Sequence, residues 1–143
     1  MTESDGGTFQ QLGRDPRAKF GPPGVLLVGF ERRDAGRIHE LMEQVGAPAH
    51  RVACCTTTMG SWTVAQALDG DDGGKLLPAG KVPRVMLLSG LTDPQVEAVL
   101  DRFSSLDLPR PIFAVATPDN LRFTVIRLLE DLLAEREEQQ PDS

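Results

Sequence analysis

The five residues VLLVG at positions 25–29 are matched 61 positions later by MLLSG at 86–90. Each is a short apolar run that ends in glycine, a pattern typical of a strand that is buried on both faces and followed by a tight turn. Around this pair the chain aligns with itself without a gap, and residues 25–69 set on 86–130 give nine identities in 45. Because the same register also superposes every predicted element, it indicates a tandem duplication.

Each half has the pattern of a βαβα unit. In the first half, apolar runs predict strands at 24–30 and 51–56, and a short helix follows at 62–69. Between the strands, apolar residues at i, i+3, i+4 and i+7 predict an amphipathic helix; they are Ile38, Leu41, Met42 and Val45. The second half repeats this order, with strands at 84–90 and 112–117, a helix from Val96 to Leu106 and a long terminal helix over 119 to about 138.

These elements predict an α/β fold with a small four-stranded, mostly parallel sheet and helices on both faces. Right-handed βαβ crossovers and a duplication about an axis along the strands favour the strand order 2-1-3-4. A mixed or split sheet is the alternative, because sequence does not determine how the halves pair. We expect a flexible segment at 1–20, a single domain at 21–138 made of repeats 24–69 and 84–138 with a linker at 70–83, and a disordered tail at 139–143.

Charge and hydropathy argue against two classes of partner. The formal net charge is −6, and the stretch from Glu130 to Ser143 carries six acids and one base. An acidic chain with no basic stripe is a poor ligand for the phosphate backbone, so we expect no nucleic acid partner. No apolar run approaches the roughly 20 residues that cross a bilayer, so we expect no membrane insertion.

The stretch CCTTTMGSWTV at 54–64 has the residue types of an active site. Its Cys54, Cys55 and Trp62 align with Val115, Ala116 and Phe123 of the second half, which favours a core role for all three. A thiol enzyme or redox switch at the two cysteines is an alternative. His39 and His50 are the only histidines, and neither has Cys or His partners at ligand spacing. We therefore predict no catalysis, no metal and no cofactor.

A small-ligand site is predicted as an alternative function. In an open α/β sheet, ligands bind beyond the carboxyl ends of the strands at the switch point. An anion or nucleotide sensor there would use residues of the two turns that follow the first and third strands: Gly29, Arg32, Arg33, Ser89, Gly90, Thr92 and Asp93.

The terminal helix has more apolar residues than its counterpart in the first half. Part of that surface is expected either to lie between layers or to meet a partner. The residues predicted to bind a partner are Leu121, Leu128, Leu132 and Leu133. The leading prediction is a non-enzymatic interaction module that binds another protein, with a homodimer as an alternative.

The second half resembles an uncharacterised domain family of bacteria and of the chloroplasts of plants and algae. The resemblance covers roughly 84–135 and lies in Leu88-Ser89-Gly90 and in Thr117-Pro118-Asp119-Asn120. It implies no reaction. It implies a location in the chloroplast stroma, with the cytoplasm as the alternative. It also suggests an auxiliary factor that assembles a photosynthetic or ATP-synthase complex by binding a subunit.

Overall fold

The structure, a computed structural model, describes residues 21–47, 50–70, 73–78 and 80–139. The strands are β1 (Gly24–Val28), β2 (Arg51–Cys54), β3 (Val85–Ser89) and β4 (Ile112–Val115). The helices are α1 (Asp34–Gln44), α2 (Val64–Asp69), α3 (Asp93–Phe103) and α4 (Val125–Gln139). Short 3-10 turns lie at Thr58–Ser61, Ser104–Leu106 and Asn120–Arg122. The predicted segment 1–20 and the tail from 140 lie outside the described residues.

The four strands form one open sheet in the order β2-β1-β3-β4, as predicted. β1 pairs with β2 and β3 pairs with β4 in parallel, while β1 and β3 pair antiparallel. The sheet is therefore mixed, and the axis that relates the repeats is perpendicular to the sheet and not along the strands. It passes through the pair Leu26–Leu87, whose numbers differ by the repeat offset of 61.

A second contact between the repeats lies on the same axis. Thr63 and Thr124, also 61 residues apart, form an isolated antiparallel bridge. The Val64 amide donates to the Phe123 carbonyl at 2.8 Å, and the Val125 amide donates to the Trp62 carbonyl at 2.9 Å. Because each repeat gives the other the same hydrogen bond, α2 and α4 begin side by side on one face of the sheet.

Alternation along the strands divides the core into two layers. Side chains of Val25, Leu27, Met86 and Leu88 pack under α1 and α3 on one face. Those of Leu26, Val28, Val85 and Leu87 pack under α2 and α4 on the other. Every residue of β1 and β3 is buried, which explains why these strands are apolar over 25–28 and 85–88 and show no alternation in sequence.

The terminal helix begins later than predicted. α4 starts at Val125 and not at 119, because Thr117 and Asn120 close a turn before it. The Thr117 amide donates to Asn120 Oδ1 at 2.8 Å, and the Asn120 amide donates to Thr117 Oγ1 at 3.0 Å. The hydroxyl of Thr124 then accepts from the Arg127 amide at 3.1 Å and caps α4 itself.

The repeats differ where strand leads into helix. The loop from β1 to α1 has five residues (29–33), whereas the loop from β3 to α3 has three (90–92). The register is restored after the helices, where Gly46 and Asp107, again 61 apart, both have a left-handed backbone with φ of 89° and 60°. The longer loop places extra charged side chains at the carboxyl end of β1 only.

Candidate functional site

The predicted switch-point site falls into two separate parts. β1 and β3 are antiparallel, with Gly24 beside Ser89 and Val28 beside Val85. Their carboxyl ends therefore lie at opposite ends of the sheet along the strand direction, about 14 Å apart for a five-residue strand. Gly29, Arg32 and Arg33 lie at one end. Ser89, Gly90, Thr92 and Asp93 lie at the other, so the structure does not bring the seven residues together.

At the end of the sheet where β3 ends, hydrogen bonds within the chain bridge neighbouring elements. Thr92 and Gln95 form a capping box at the start of α3, with amide-to-side-chain distances of 3.0 and 3.2 Å. Gln95 Nε2 also donates to the Gly46 carbonyl at 3.1 Å. Asp93 is buried within the first turn of α3. These residues therefore act as caps that hold α3 against the end of α1.

His50 makes a further contact at this end of the sheet. Its Nε2 lies 3.2 Å from the carbonyl oxygen of Gly90, which makes the ring nitrogen the donor. Burial lowers the pKa of His50 below its usual value of 6.5, and hydrogen bonds with the Gly90 and Ser89 backbone act in the opposite direction. The ring is therefore neutral near pH 7 and joins the start of β2 to the end of β3.

An open cleft with a volume of about 560 Å³ lies at the other end of the sheet, where β1 ends. This volume lies within the range of about 300–1,000 Å³ that is typical of small-molecule sites. Three arginines and three acids contribute to its lining: Arg33, Arg37, Arg84, Glu31, Asp34 and Asp107. Leu108 and Pro109 form an apolar part of the wall. Of the residues predicted to bind a ligand, Arg33 alone lines this cleft.

Arg84 has an unusual environment in this cleft. Its Nη1 donates to the Gly29 carbonyl at 3.2 Å, and its guanidinium carbon lies 4.2 Å from the centroid of the Phe30 ring. The remaining nitrogens, Nε and Nη2, are buried and have no hydrogen-bond partner among the residues that the structure describes. Nε–H and Nη2–H project from the same edge of the guanidinium, which is the edge that binds carboxylates in a bidentate manner.

The lining of the cleft carries equal numbers of basic and acidic side chains, three of each. Arg33 Nε and Glu31 Oε1 form an ion pair at 2.6 Å, and Asp34 Oδ2 accepts the Glu31 amide at 3.2 Å. The side chain of Arg37 makes no hydrogen bond or ion pair within the described part of the chain. With Glu31 and Arg33 paired to each other, two arginines and two aspartates are left to face a ligand.

Sequence reasoning missed Arg84 because nothing in its surroundings indicates a site. It is the first residue of the predicted strand 84–90, and its counterpart 61 positions earlier is Pro23. Arg32, which was predicted to bind a ligand, instead donates from Nη2 to the Gly74 carbonyl at 3.0 Å and ties the loop to the linker. The signal that could have found the cleft is the loop of 29–33, which is longer than its twin.

The predicted partner-binding leucines occupy different positions on α4 and the turn before it. Leu128 is 3% exposed and belongs to the core, while Leu121 and Leu132 are half-buried against it. Leu133 is exposed. The exposed large apolar side chains of the described residues are Ile126 and Leu133, both on α4. The available apolar surface therefore differs from the predicted set at Ile126 and Leu128.

The two cysteines point to opposite faces of the sheet, as expected for neighbours on a strand. Cys54 packs in the layer of α1 and α3, and Cys55 in the layer of α2 and α4. Within the described residues neither forms a disulfide, and both are only 2% exposed. This position suits small apolar core residues.

Two further searches of the described residues gave no candidate. Within the ranges 21–47, 50–70, 73–78 and 80–139, no three His, Cys, Asp or Glu side chains are grouped so as to hold a metal ion. In the same ranges, no helix combines the length and apolar character needed to cross a membrane.

The fold and the cleft define a mixed α/β protein built from two βαβα repeats around a pseudo-two-fold axis. Its second repeat, residues 84–138, matches the family model described as "Domain of unknown function (DUF3783)". The match begins at Arg84, includes Asp107 and ends within α4. No curated protein and no solved structure matches the chain.

Proposed function

We propose that this protein is a non-enzymatic interaction module that binds another protein through α4. The observation that carries the proposal is the position of Ile126 and Leu133, whose exposed fractions are 53% and 37%. They are seven residues apart, or about two helical turns, and so lie on the same side of α4. An exposed apolar side chain is unremarkable when it stands singly, but two on one helix side mark a surface for contact.

α4 carries two apolar stripes that differ in burial. The inner stripe of Val125, Leu128 and Leu132 packs on the sheet. The outer stripe, Ile126, Leu129 and Leu133, has the same spacing of three and four residues, displaced by one position along the helix. Ile126 and Leu133 are exposed, while Leu129 is half-buried against the core. Spacing of three then four is the seam on which a second helix packs. The outer stripe therefore suits an amphipathic helix of a partner.

Charges beside the outer stripe indicate the chemistry of that helix. Glu130 and Glu135 accompany the stripe together with Asp131, which forms an ion pair with Arg127 at 3.5 Å. The sequence from Glu130 to Ser143 carries six acids against one base. Two copies of α4 would bring these acids together, whereas a helix with lysine or arginine beside its apolar stripe would pair with them. A basic amphipathic helix of another protein is therefore favoured over a second copy of this chain.

A narrower form of the proposal names a role and a place. The resemblance of the Leu88-Ser89-Gly90 and Thr117-to-Asn120 motifs to a chloroplast and bacterial family supports an assembly or chaperone-like factor for a photosynthetic or ATP-synthase complex. The corresponding location is the chloroplast stroma, with the cytoplasm as the alternative. Fractionation of the source cells, followed by detection of the protein in each fraction, tests this location.

Affinity capture with matched variants tests the binding surface. The wild-type chain, Ile126→Glu/Leu133→Glu and Gly36→Glu/His39→Glu are immobilised at equal density. The control pair adds the same formal charge at exposed positions of α1, on the opposite face of the sheet. Loss of two central apolar contacts weakens a helix-in-groove interface by at least 2 kcal/mol, or about 30-fold.

We expect a partner that is captured by the wild type and by the α1 pair and is lost from the α4 pair. Cross-links from that partner to residues 126–133, made through a basic amphipathic segment, would support the proposal. A partner retained by the α4 pair would contradict it. A wild-type dimer that the α4 substitutions dissociate would replace the basic helix with a second copy of this chain.

A further inference from the structure

We propose that the cleft at the carboxyl end of β1 binds a small zwitterion, a molecule with one carboxylate and one ammonium group, of which a free amino acid is the simplest. This inference is independent of the protein-binding surface on α4. It depends on the unpaired edge of Arg84, on the charge composition of the cleft and on the presence of Pro23 where the repeat would place a second such arginine.

The first step is the guanidinium of Arg84. Its Nη1 bonds to the Gly29 carbonyl and its plane lies over Phe30, so the group is held in place. Nε and Nη2 are buried without an acceptor. An unmet buried donor is destabilising, and more so when it is charged. A carboxylate that entered the cleft would supply two oxygens to this one edge in the bidentate geometry that arginine favours.

The second step is the charge of the remaining lining. After the Arg33–Glu31 pair is set aside, Arg37 and Arg84 face Asp34 and Asp107. A phosphate or a dicarboxylate would gain two arginines but would also meet two aspartates. A diamine would meet the opposite conflict. A molecule that carries both charges satisfies both signs, because its carboxylate can turn to Arg84 and its ammonium to an aspartate.

The third step is the difference between the two ends of the sheet, where β1 and β3 end. The pseudo-two-fold axis generates a twin of the cleft at the end of β3, where Pro23 takes the place of Arg84. There the space is crossed by the bonds of Gln95 to Gly46 and of His50 to Gly90. Among the described residues, these two bonds bridge the end of the sheet where β3 ends, whereas the end that carries the cleft has the unmet donors of Arg84. A difference of this kind between duplicated halves is expected where one half binds a ligand.

Titrations of the ¹⁵N-labelled chain with the twenty free amino acids test the inference. We expect at least one to bind with a dissociation constant of about 10 µM to 1 mM, a range suited to so few ligand atoms. Amide signals of residues 29–34 and of Asp107 should shift, while those around Ser89 should not. The N-acetyl and the amide derivatives of that amino acid, each lacking one charge, should bind at least tenfold more weakly.

Variants locate the site. Arg84→Gln should abolish binding at 10 mM ligand and Arg37→Gln should weaken it several-fold. Arg51→Gln, at an exposed position at the start of β2 and at the end of the sheet away from the cleft, should leave binding unchanged. If Arg84→Gln does not fold, Arg37→Gln carries the test. The inference is overturned if no amino acid binds at 10 mM, if inorganic phosphate binds more tightly, if the N-acetyl derivative binds equally well, or if binding survives the substitution at the cleft.

Discussion

Alanine substitutions at Gly29 and Gly90 would measure how tightly the two repeats are joined. Both glycines have a left-handed backbone, with φ of 76° and 72°. A Cβ at Gly90 would lie 3.0 Å from the Pro22 oxygen and 3.0 Å from the Pro23 Cα. A Cβ at Gly29 would lie 2.9 Å from the oxygen of Pro83, which is the twin of Pro22. In both cases the obstacle is the backbone just before the first strand of the other repeat, which no side-chain rotation can relieve.

The expected loss of stability has two parts. Holding alanine in the left-handed region costs about 1–2 kcal/mol. The contact with backbone adds about 1–3 kcal/mol, the usual effect of placing an extra carbon in a packed site. Each substitution should therefore lower the free energy of unfolding by about 2–5 kcal/mol. Because the two glycines are related by the repeat, their effects should agree within about 1 kcal/mol.

Two other glycines separate these contributions. Gly73 has a φ of 72° but nothing within 4 Å of its added Cβ, so Gly73→Ala should show the backbone part alone, about 1–2 kcal/mol. Gly36 lies in α1 with open space around it, so Gly36→Ala should stabilise the chain by about 0.5–1 kcal/mol.

Equilibrium unfolding in urea, monitored by circular dichroism, gives the four free energies from midpoints at constant m-value. If Gly90→Ala is no more destabilising than Gly73→Ala, then the close approach of the repeats at this turn does not constrain the fold. That result would refute the reasoning, and so would a large difference between Gly29→Ala and Gly90→Ala.

Three further predictions follow from burial. Leu128→Ala should destabilise by about 2–5 kcal/mol because Leu128 is in the core, whereas Leu133→Ala should change stability by less than about 0.5 kcal/mol, both measured by urea unfolding. The lowered pKa of His50 means that the unfolded chain binds this proton first as pH falls, so stability should decline below pH 6.5 until the pH passes the folded-state pKa. Cys54 and Cys55 should react with a thiol reagent only as fast as the protein opens, since both are buried.

Each of these outcomes has a control. Equal effects of the two leucine substitutions would contradict the assignment of inner and outer stripes on α4. His50→Gln should remove the part of the acid decline that His50 causes, and an unchanged decline would show that other groups are responsible. Fast thiol labelling of the folded chain would contradict the core role of the cysteines and revive the thiol hypothesis.

Much of the fold follows from the repeat offset. The starts of β1 and β3, of β2 and β4, and of α2 and α4 all differ by 61 positions, and the predicted strand order is confirmed. The direction of the central pair could not be inferred. Because β1 and β3 are apolar on both faces, either relative direction buries them equally well, and only the tertiary pairing distinguishes a parallel from an antiparallel centre.

The candidate sites were harder to predict because they depend on that direction. Arg33 was predicted for a site that joined both turns, yet its neighbours in the cleft come from its own loop, from α1, from Arg84 just before β3 and from the turn after α3. Leu128 and Leu133 are both apolar and both on α4, but a difference of five positions turns one toward the sheet and the other toward solvent. Composition identified the surplus of apolar residues, and helical phase decided which of them are exposed.

The antiparallel junction of β1 and β3 also bears on how such a chain could arise. A contact in which Leu26 meets Leu87, its own counterpart, is isologous, the kind that joins identical subunits in a dimer. A shorter ancestor with one repeat could have closed its free strand edge with a second copy in the same way. After the two copies are fused, each half can diverge. An arginine and a longer loop at one end of the sheet then need no counterpart at the other end.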